Sequence, residues 1–257
     1  EMDIAREAVT MVKNDFALPF TDQEGNVVLI GRTQDDTKAL QFGTTMLKLE
    51  GLIPADTHVN NLVNGSHSGS EDSTLKITID YYYNSSDKSL HYTDELKSAI
   101  AEADLVTAMS VSSGTSDMLP SSYQYQGLTQ LIEDTHNAHG KFALISANLP
   151  YDSARYKDAD AVLHTYMASG MGIDPTERED NPGAYNANLQ GAIYAIFGGE
   201  GPIGTLPVNI PEIIVNDDGT IAYSDEILYE RGMGITYNEK PSGYIITEDE
   251  STGIAIY

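Results

Sequence analysis

Gly199, Gly201 and Gly204 in "FGGEGPIGTLPVNIPEI" spell G-x-G-x-x-G, the spacing of a loop that wraps a dinucleotide pyrophosphate. That chemistry needs a strand before the glycines and a helix N-terminus after them, where free N–H groups meet the phosphates. Here the order is reversed. The helical pattern "ANLQGAIYAIF" precedes the glycines and the strand-like "GTLPVNI" follows, so a helix C-terminus faces them and repels phosphate. Pro202 also removes one N–H from such a cradle. Gly198 and Gly199 are expected as left-handed residues closing the helix. No cofactor is assigned.

Glu133, His136 and His139 have a spacing that can pose as a metal site. They fall at the end of a helical pattern beside Gly140, where imidazole favours the helix dipole, and no further ligand is evident. No metal is assigned. His164, ending a strand, reads as a satisfied polar residue at the sheet edge. Asp35-Asp36 follow a strand as acidic residues do in phosphoacceptor receivers. "LVTAMSV" and "AVLHTY" lack the acceptor aspartate and the lysine such a domain needs. Asn64-Gly65-Ser66 and Asn84-Ser85-Ser86 match the glycosylation sequon, a pattern common by chance. Tyr81, Tyr82 and Tyr83 offer a stacking surface for a sugar, but consecutive strand positions alternate, so at least one is expected to pack inward.

The elements that must position these groups can be read from hydrophobic pattern. "NVVLIG", "LKITID", "DLVTAMSV", "KFALISA" and "DADAVLHTY" are short apolar runs, separated by the helical patterns "TKALQFGTTMLKL", "TDELKSAIAEA" and "YQGLTQLIEDTHNAHG". Such alternation predicts a doubly wound α/β fold, a mostly parallel sheet of five or six strands in a flavodoxin-like three-layer sandwich. A single domain over residues 1–257 is expected, with a leading helix over 3–13, a core over about 22–238 and a peripheral tail over 239–257. In the tail, "GIAIY" reads as an edge strand. Residues 54–73, rich in Asn, Gly and Ser, read as an exposed excursion. Ligands of such sheets bind beyond the carboxyl ends of the strands. The loops there carry Ser113, Thr115, Asp117 and Asn148, whose hydroxyl, carboxylate and amide groups suit sugar hydroxyls. The alternative is ordinary polar loop residues, with Asp117 a solvated aspartate or a helix cap.

Composition narrows the partners. Asp and Glu number 39 against 14 Lys and Arg, a net charge of −25. Such a surface repels nucleic acid, whose affinity comes from Lys and Arg displacing counterions, and offers no polybasic patch to a membrane. The absence of cysteine excludes thiolate catalysis and disulfides. No apolar run has the length of a membrane span, so no membrane insertion is expected. The compartment is not fixed; the lean is to an extracellular or cell-surface bacterial protein.

Four stretches, in order, resemble the C-terminal domain of glycoside hydrolase family 3. "IAREAVTMVKNDFALPF" is similar to its helix and "LLKND…LPL" turn, and "NVVLIG" to its first strand. "FGGEGPIGTLPVNIPEI" is similar to its "G…NPSGKLPVTIP" signature, and "LYERGMGITY" to its closing "LYPFGYGLSY". The resemblance covers roughly residues 4 to 238. It implies a parent enzyme that hydrolyses terminal β-linked sugars, with its aspartate nucleophile on an N-terminal (β/α)8-type barrel absent from this chain. Retaining hydrolysis needs two groups about 5–5.5 Å apart, a nucleophile and a proton donor. In many β-glucosidases of the family, the proton donor is a glutamate on the loop after this domain's third strand. Here that loop, "SVSSGTSDMLPSSYQYQGLTQLI", aligns through Leu119-Pro120 and Gln126 but holds no glutamate, and Asp117 is its one carboxylate. The absence points to the family's β-N-acetylglucosaminidase branch, which "SANLPYDSARYKDADAVLHTY" and "NLQGAIYAIFGG" also resemble. In that branch an Asp–His dyad on the barrel supplies the proton, so no residue of this chain is expected to be catalytic. The expected partners are the barrel and a carbohydrate substrate. The rival reading is a stand-alone, non-catalytic carbohydrate-binding or scaffolding module.

Overall fold

The computed structural model describes residues 2–167, 187–199 and 201–237, together with the backbone of residues 247–248 and 255–256. The chain opens with α1 (Met2–Ala8), β1 (Thr10–Asn14), β2 (Gly25–Gly31) and α2 (Asp36–Leu49). Next come β3 (His58–Asn61), β4 (Ser66–Ser68), β5 (Leu75–Tyr81) and a small hairpin of β6 (Tyr83–Asn84) and β7 (Ser89–Leu90). α3 (Asp94–Ala101), β8 (Leu105–Ser110), α4 (Tyr123–Asn137), β9 (Lys141–Ser146) and β10 (Ala161–His164) follow. α5 (Asn188–Ile196) precedes a hairpin of β11 (Ile210–Val215) and β12 (Ile221–Tyr229). The last described pairing joins β13 (Thr247–Glu248) to β14 (Ala255–Ile256).

Eight strands form one sheet in the order β1-β10-β9-β8-β2-β5-β3-β4. The six inner strands are parallel, and β1 and β4 close the two edges antiparallel. From β2 the chain passes two places out to β3 and β4, comes back in as β5 between β3 and β2, then crosses to β8 on the other side of β2. The strand order therefore reverses between β2 and β8, and the crevice at their carboxyl ends is the switch point where open α/β sheets bind ligands.

Two apolar layers hold the sheet. On one face Leu29, Ile77, Leu105 and Met109 pack with Leu40 and Leu47 of α2 and Ile193 and Ile196 of α5. On the other, Val28, Val106, Phe142 and Val162 pack with Leu96 and Ile100 of α3 and Leu128 and Leu131 of α4. Inner parallel strands buried on both sides need unbroken apolar runs, as β8 and β9 show. Each such fully buried side chain is worth roughly 1.5–3 kcal/mol. The caps agree with the sequence: Thr93 accepts from Leu96 N at the start of α3, and Ser122 from Tyr125 N at the start of α4.

The three-layer α/β sandwich was expected; several details were not. The leading helix stops at Ala8, and Thr10–Asn14 forms β1 instead, antiparallel to β10 with Met11 opposite Leu163. Val9, Met11 and Val12 are buried, because a sheet edge gives these side chains more cover than a surface helix would. The Asn14 side chain then caps the turn, accepting from Ala17 N and Leu18 N. Residues 54–73 are not wholly an excursion, since they contain β3 and β4 and bring the sheet to eight strands. "GTLPVNI" is not a strand; pairing starts at Ile210, where the chain enters a hairpin outside the main sheet. Among the described residues, Ala255 and Ile256 of "GIAIY" pair with β13 and not with a strand of the main sheet. The rest of that tail, like residues 168–186, lies outside the described residues.

The glycine run is a turn. Gly198 has φ +80°, its N–H bonds Ala195 O, and Gly199 N–H bonds Tyr194 O, the paired pattern of a Schellman cap on α5. Only Gly198 is left-handed. Gly199 is glycine for a different reason: a Cβ there would lie 1.9 Å from Tyr194 Cε1.

Candidate functional site

Two loops meet over the switch point. The loop leaving β2 carries Arg32, and the loop leaving β8 carries Ser112, Ser113 and a short 3-10 turn over Thr115–Met118. Asp117 joins them. Its Oδ2 accepts from Ser113 N at 2.8 Å and from Ser113 Oγ at 3.1 Å, and its Oδ1 lies 3.7 Å from Arg32 Nη2. The Arg32 guanidinium stands 5.7 Å from the centre of the Tyr83 ring, which stacks on Tyr123 at 5.4 Å with 22° between planes. Ser113, Asp117, Arg32, Tyr83 and Tyr123 thus form one continuous polar and aromatic rim at the carboxyl edge.

Of the four residues expected to touch a sugar, the structure brings Ser113 and Asp117 together. Thr115 is exposed on the 3-10 turn and Asn148 half-buried on the loop after β9. Among the described residues no side-chain hydrogen bond ties either to the Ser113–Asp117 pair. Asp117 acts as an acceptor that shapes its own loop, which also holds Ser122, whose Oγ donates to Asp117 O at 2.7 Å.

Beneath this rim lies a buried network that the sequence reading missed. Val111 N donates to Gln124 Oε1, Gln124 Nε2 to Ser112 Oγ, and Ser112 Oγ to Asp152 Oδ2, at 2.8, 2.7 and 2.7 Å. Ser146 Oγ donates to Asp152 Oδ1 at 2.7 Å. Burial pushes the Asp152 carboxyl up, and the serine hydroxyls partly oppose that. The network ties the carboxyl ends of β8 and β9 to the 3-10 turn Pro150–Arg155 and so fixes the base of the Ser113 loop. The signal available was polar residues ending two otherwise apolar strands, Ser110 and Ser112 after "VTAM" and Ser146 after "FALI".

A second pair, also missed, sits at the end of β5. Asp80 is buried, and its Oδ1 lies 3.2 Å from His91 Nε2. Tyr81 stacks on the His91 ring at 4.0 Å with 9° between planes. Burial raises the Asp80 carboxyl; Tyr81 N and His91 oppose this. A buried carboxylate beside a half-buried imidazole orients the ring, as the aspartate of hydrolase triads orients its histidine. Of the three tyrosines, Tyr81 and Tyr82 are buried and Tyr83 is half-buried, and the Tyr82 hydroxyl donates to Met109 O at 3.1 Å.

The remaining histidines resolve as follows. His136 Nε2 meets Asp160 Oδ2 at 2.8 Å, and Lys141 Nζ meets Asp160 Oδ1 at 2.9 Å. Among the described residues no group of three or more His, Asp or Glu is arranged to hold a metal. His164 corrects the expectation of a satisfied group at the edge. It is fully buried on β10, one strand in from the edge because β1 covers it, and neither ring nitrogen has a hydrogen-bond partner. Burial lowers its pKa to about 3, so the ring is neutral at ordinary pH.

No family model matches the chain. No curated protein matches it either. Solved structures do. A β-glucosidase from Listeria innocua in complex with glucose matches at 15% identity and TM-score 0.51, over 93% of this chain and 33% of that one. A GH3 exo-β-xylosidase in complex with a xylobiose aziridine probe matches at 16% identity and TM-score 0.51, over 92% of this chain and 31% of that one. A fungal multi-domain GH3 β-N-acetylglucosaminidase matches at 17% identity over 77% of this chain and 17% of that one, but its TM-score of 0.44 carries no argument. The chain spans about a third of the length of the β-glucosidase and the xylosidase, and shares its fold with that portion of them.

Proposed function

We propose that this chain is the C-terminal α/β sandwich of a family 3 glycoside hydrolase acting on terminal β-N-acetylglucosaminides. In this reading the sandwich packs on an N-terminal (β/α)8-type barrel that carries the nucleophile. Its carboxyl-edge loops, with Ser113, Thr115, Asp117 and Asn148, form one wall of the substrate cleft.

One observation carries the reading: the loop after β8 has a single carboxylate, and it is already engaged. Asp117 accepts two hydrogen bonds from Ser113 and faces Arg32, so both its oxygens are engaged by its own surroundings. A retaining glycosidase needs a group that gives a proton to the leaving oxygen, and on this reading that group belongs to the barrel. The fold shared with a β-glucosidase and a β-xylosidase supports the family, as does the meeting of the sequence signatures in space. Leu206 N bonds Met233 O, Gly232 N bonds Leu206 O, and Ile235 N bonds Met11 O, so three of the four motif stretches hold one another.

The test is to read the coding sequence upstream of Glu1 and assay the whole product. An in-frame barrel, and faster cleavage of a chromogenic β-N-acetylglucosaminide than of the β-glucoside or β-xyloside, are the expected results. A barrel that prefers the glucoside overturns the substrate assignment. No barrel at all overturns the reading.

A further inference from the structure

The face of the sheet that carries α3 is not sealed over its outer strands. On β5, Leu75, Ile77 and Ile79 point into the apolar layer on the other side, while Lys76 and Thr78 alternate with them and face α3. The register sets Asn26 and His58 beside Lys76, and Val28 and Asn60 beside Thr78. A parallel sheet buried on both faces fills such positions with apolar residues; here they are mostly polar. They floor a cleft of about 450 Å³, walled by Ala99 of α3, by Glu102 just past its end, and by His67 and Glu71. A second hollow, sharing Asn60, Thr78 and Ala99, extends it toward Asp94 and Glu95 at the start of α3. The groove therefore runs the length of α3, roughly 12 Å at the rise of a helix.

We propose that this groove binds a short uncharged oligosaccharide, at a place separate from the Ser113–Asp117 loops. Three features lead there. The floor presents an amide, a hydroxyl and an ammonium group side by side, donors and acceptors of the kind that pair neighbouring sugar hydroxyls. His58 and His67 stack at 5.8 Å with 22° between their planes, a flat face at the groove wall. His58 Nδ1 and Asn60 Oδ1 are shielded from solvent yet have no hydrogen-bond partner. Leaving such groups unpaired costs about 1–3 kcal/mol each. A ligand hydroxyl that reaches either atom satisfies it. Charge selects the class. Glu71, Glu102, Asp94 and Glu95 outnumber Lys76 around the groove, so a sulfated or otherwise anionic chain is repelled. The polar floor gives an apolar ligand little to cover.

The test is an amide-shift titration of the isotope-labelled chain with cellohexaose and with chitohexaose, using a heparin hexasaccharide as the anionic counterpart. The expected result is shifts along β3, β5 and α3 with at least one neutral oligosaccharide and none with heparin. Thr78→Val and Asn60→Ala each weaken that binding at least about tenfold. Where Asn60→Ala disturbs the fold, seen in the same spectra, Lys76→Ala at the exposed end of the floor takes its place. Shifts confined to residues 111–122, shifts with heparin alone, or no shifts from a folded chain overturn the proposal. The readout needs no barrel, so it stands or falls separately from the assignment to a glycoside hydrolase.

Discussion

Gly204 and Gly234 meet backbone to backbone. A Cβ on Gly234 would lie 2.2 Å from Gly204 O, and one on Gly204 would lie 2.5 Å from Ala8 O. Two of the sequence signatures thus exist as glycines because three chain segments cross where only bare backbone fits, beside the bridge of Met11 to Ile235. Neither glycine serves a phosphate.

Gly234→Ala is therefore expected to force the crossing apart and to destabilise by about 1–3 kcal/mol, the usual range for overpacking. Gly219 is the contrast, with φ +81° but open space around it. Gly219→Ala meets only the left-handed strain of roughly 1–2 kcal/mol. Urea unfolding of both variants checks this; in addition, only Gly234→Ala is expected to shift amide signals near Ala8 and Thr10.

Asp117→Ala removes the acceptor that organises the Ser113 loop. The Arg32 pair is part-exposed and worth at most about 1 kcal/mol, so the melting temperature is expected to change little. Hydrogen exchange at Ser113 N is expected to speed up, because its bond to Asp117 is gone. An unchanged exchange rate there contradicts the loop geometry.

Two carboxylates, Asp152 buried and Asp160 half-buried, predict opposite pH responses. Burial raises Asp152 in the fold, so the folded state holds a proton that the unfolded state releases. Its contribution to stability is greatest below the unfolded value of about 3.9 and is lost as pH rises through the folded value. Burial would raise Asp160 as well, but Lys141, Phe142 N and His136 outweigh it and lower the carboxyl. That contribution is present above the unfolded value and is lost as pH falls through the folded one. Asp152→Asn is thus expected to lose ground against the parent chain as pH falls from neutral, and Asp160→Asn to gain on it. Denaturation midpoints compared in pairs check both signs, from neutral pH downward for Asp152 and below about pH 4 for Asp160.

Much of this was legible in the sequence where one physical demand dominated. β2, β5, β8, β9 and β10 showed themselves because burial on two faces needs uninterrupted apolar residues. β3 and β4 did not. His58, Asn60 and Ser66–Ser68 carry polar side chains at the sheet edge and the groove, and in one dimension that looks like a loop. β1 was hidden by Ile4, Ala5 and Ala8, whose helical spacing ran on into Val9 and Val12 until tertiary pairing with β10 decided otherwise. Ser113 and Asp117 were singled out from their place after a strand, and the structure shows them bonded to each other. Arg32 and Asp152 were not, because their partners come from remote segments and depend on the strand order β8-β2 and β9-β8. His164 was misjudged for the same reason, since only the antiparallel β1 turns a strand end into an interior.

The central claim is that bond cleavage is organised outside this chain. Incubating the purified chain with chromogenic β-N-acetylglucosaminide, β-glucoside and β-xyloside tests it most directly. The account predicts no chromophore release above buffer with any of the three. Turnover by the purified chain that is abolished by Asp117→Ala or by His91→Ala would contradict it.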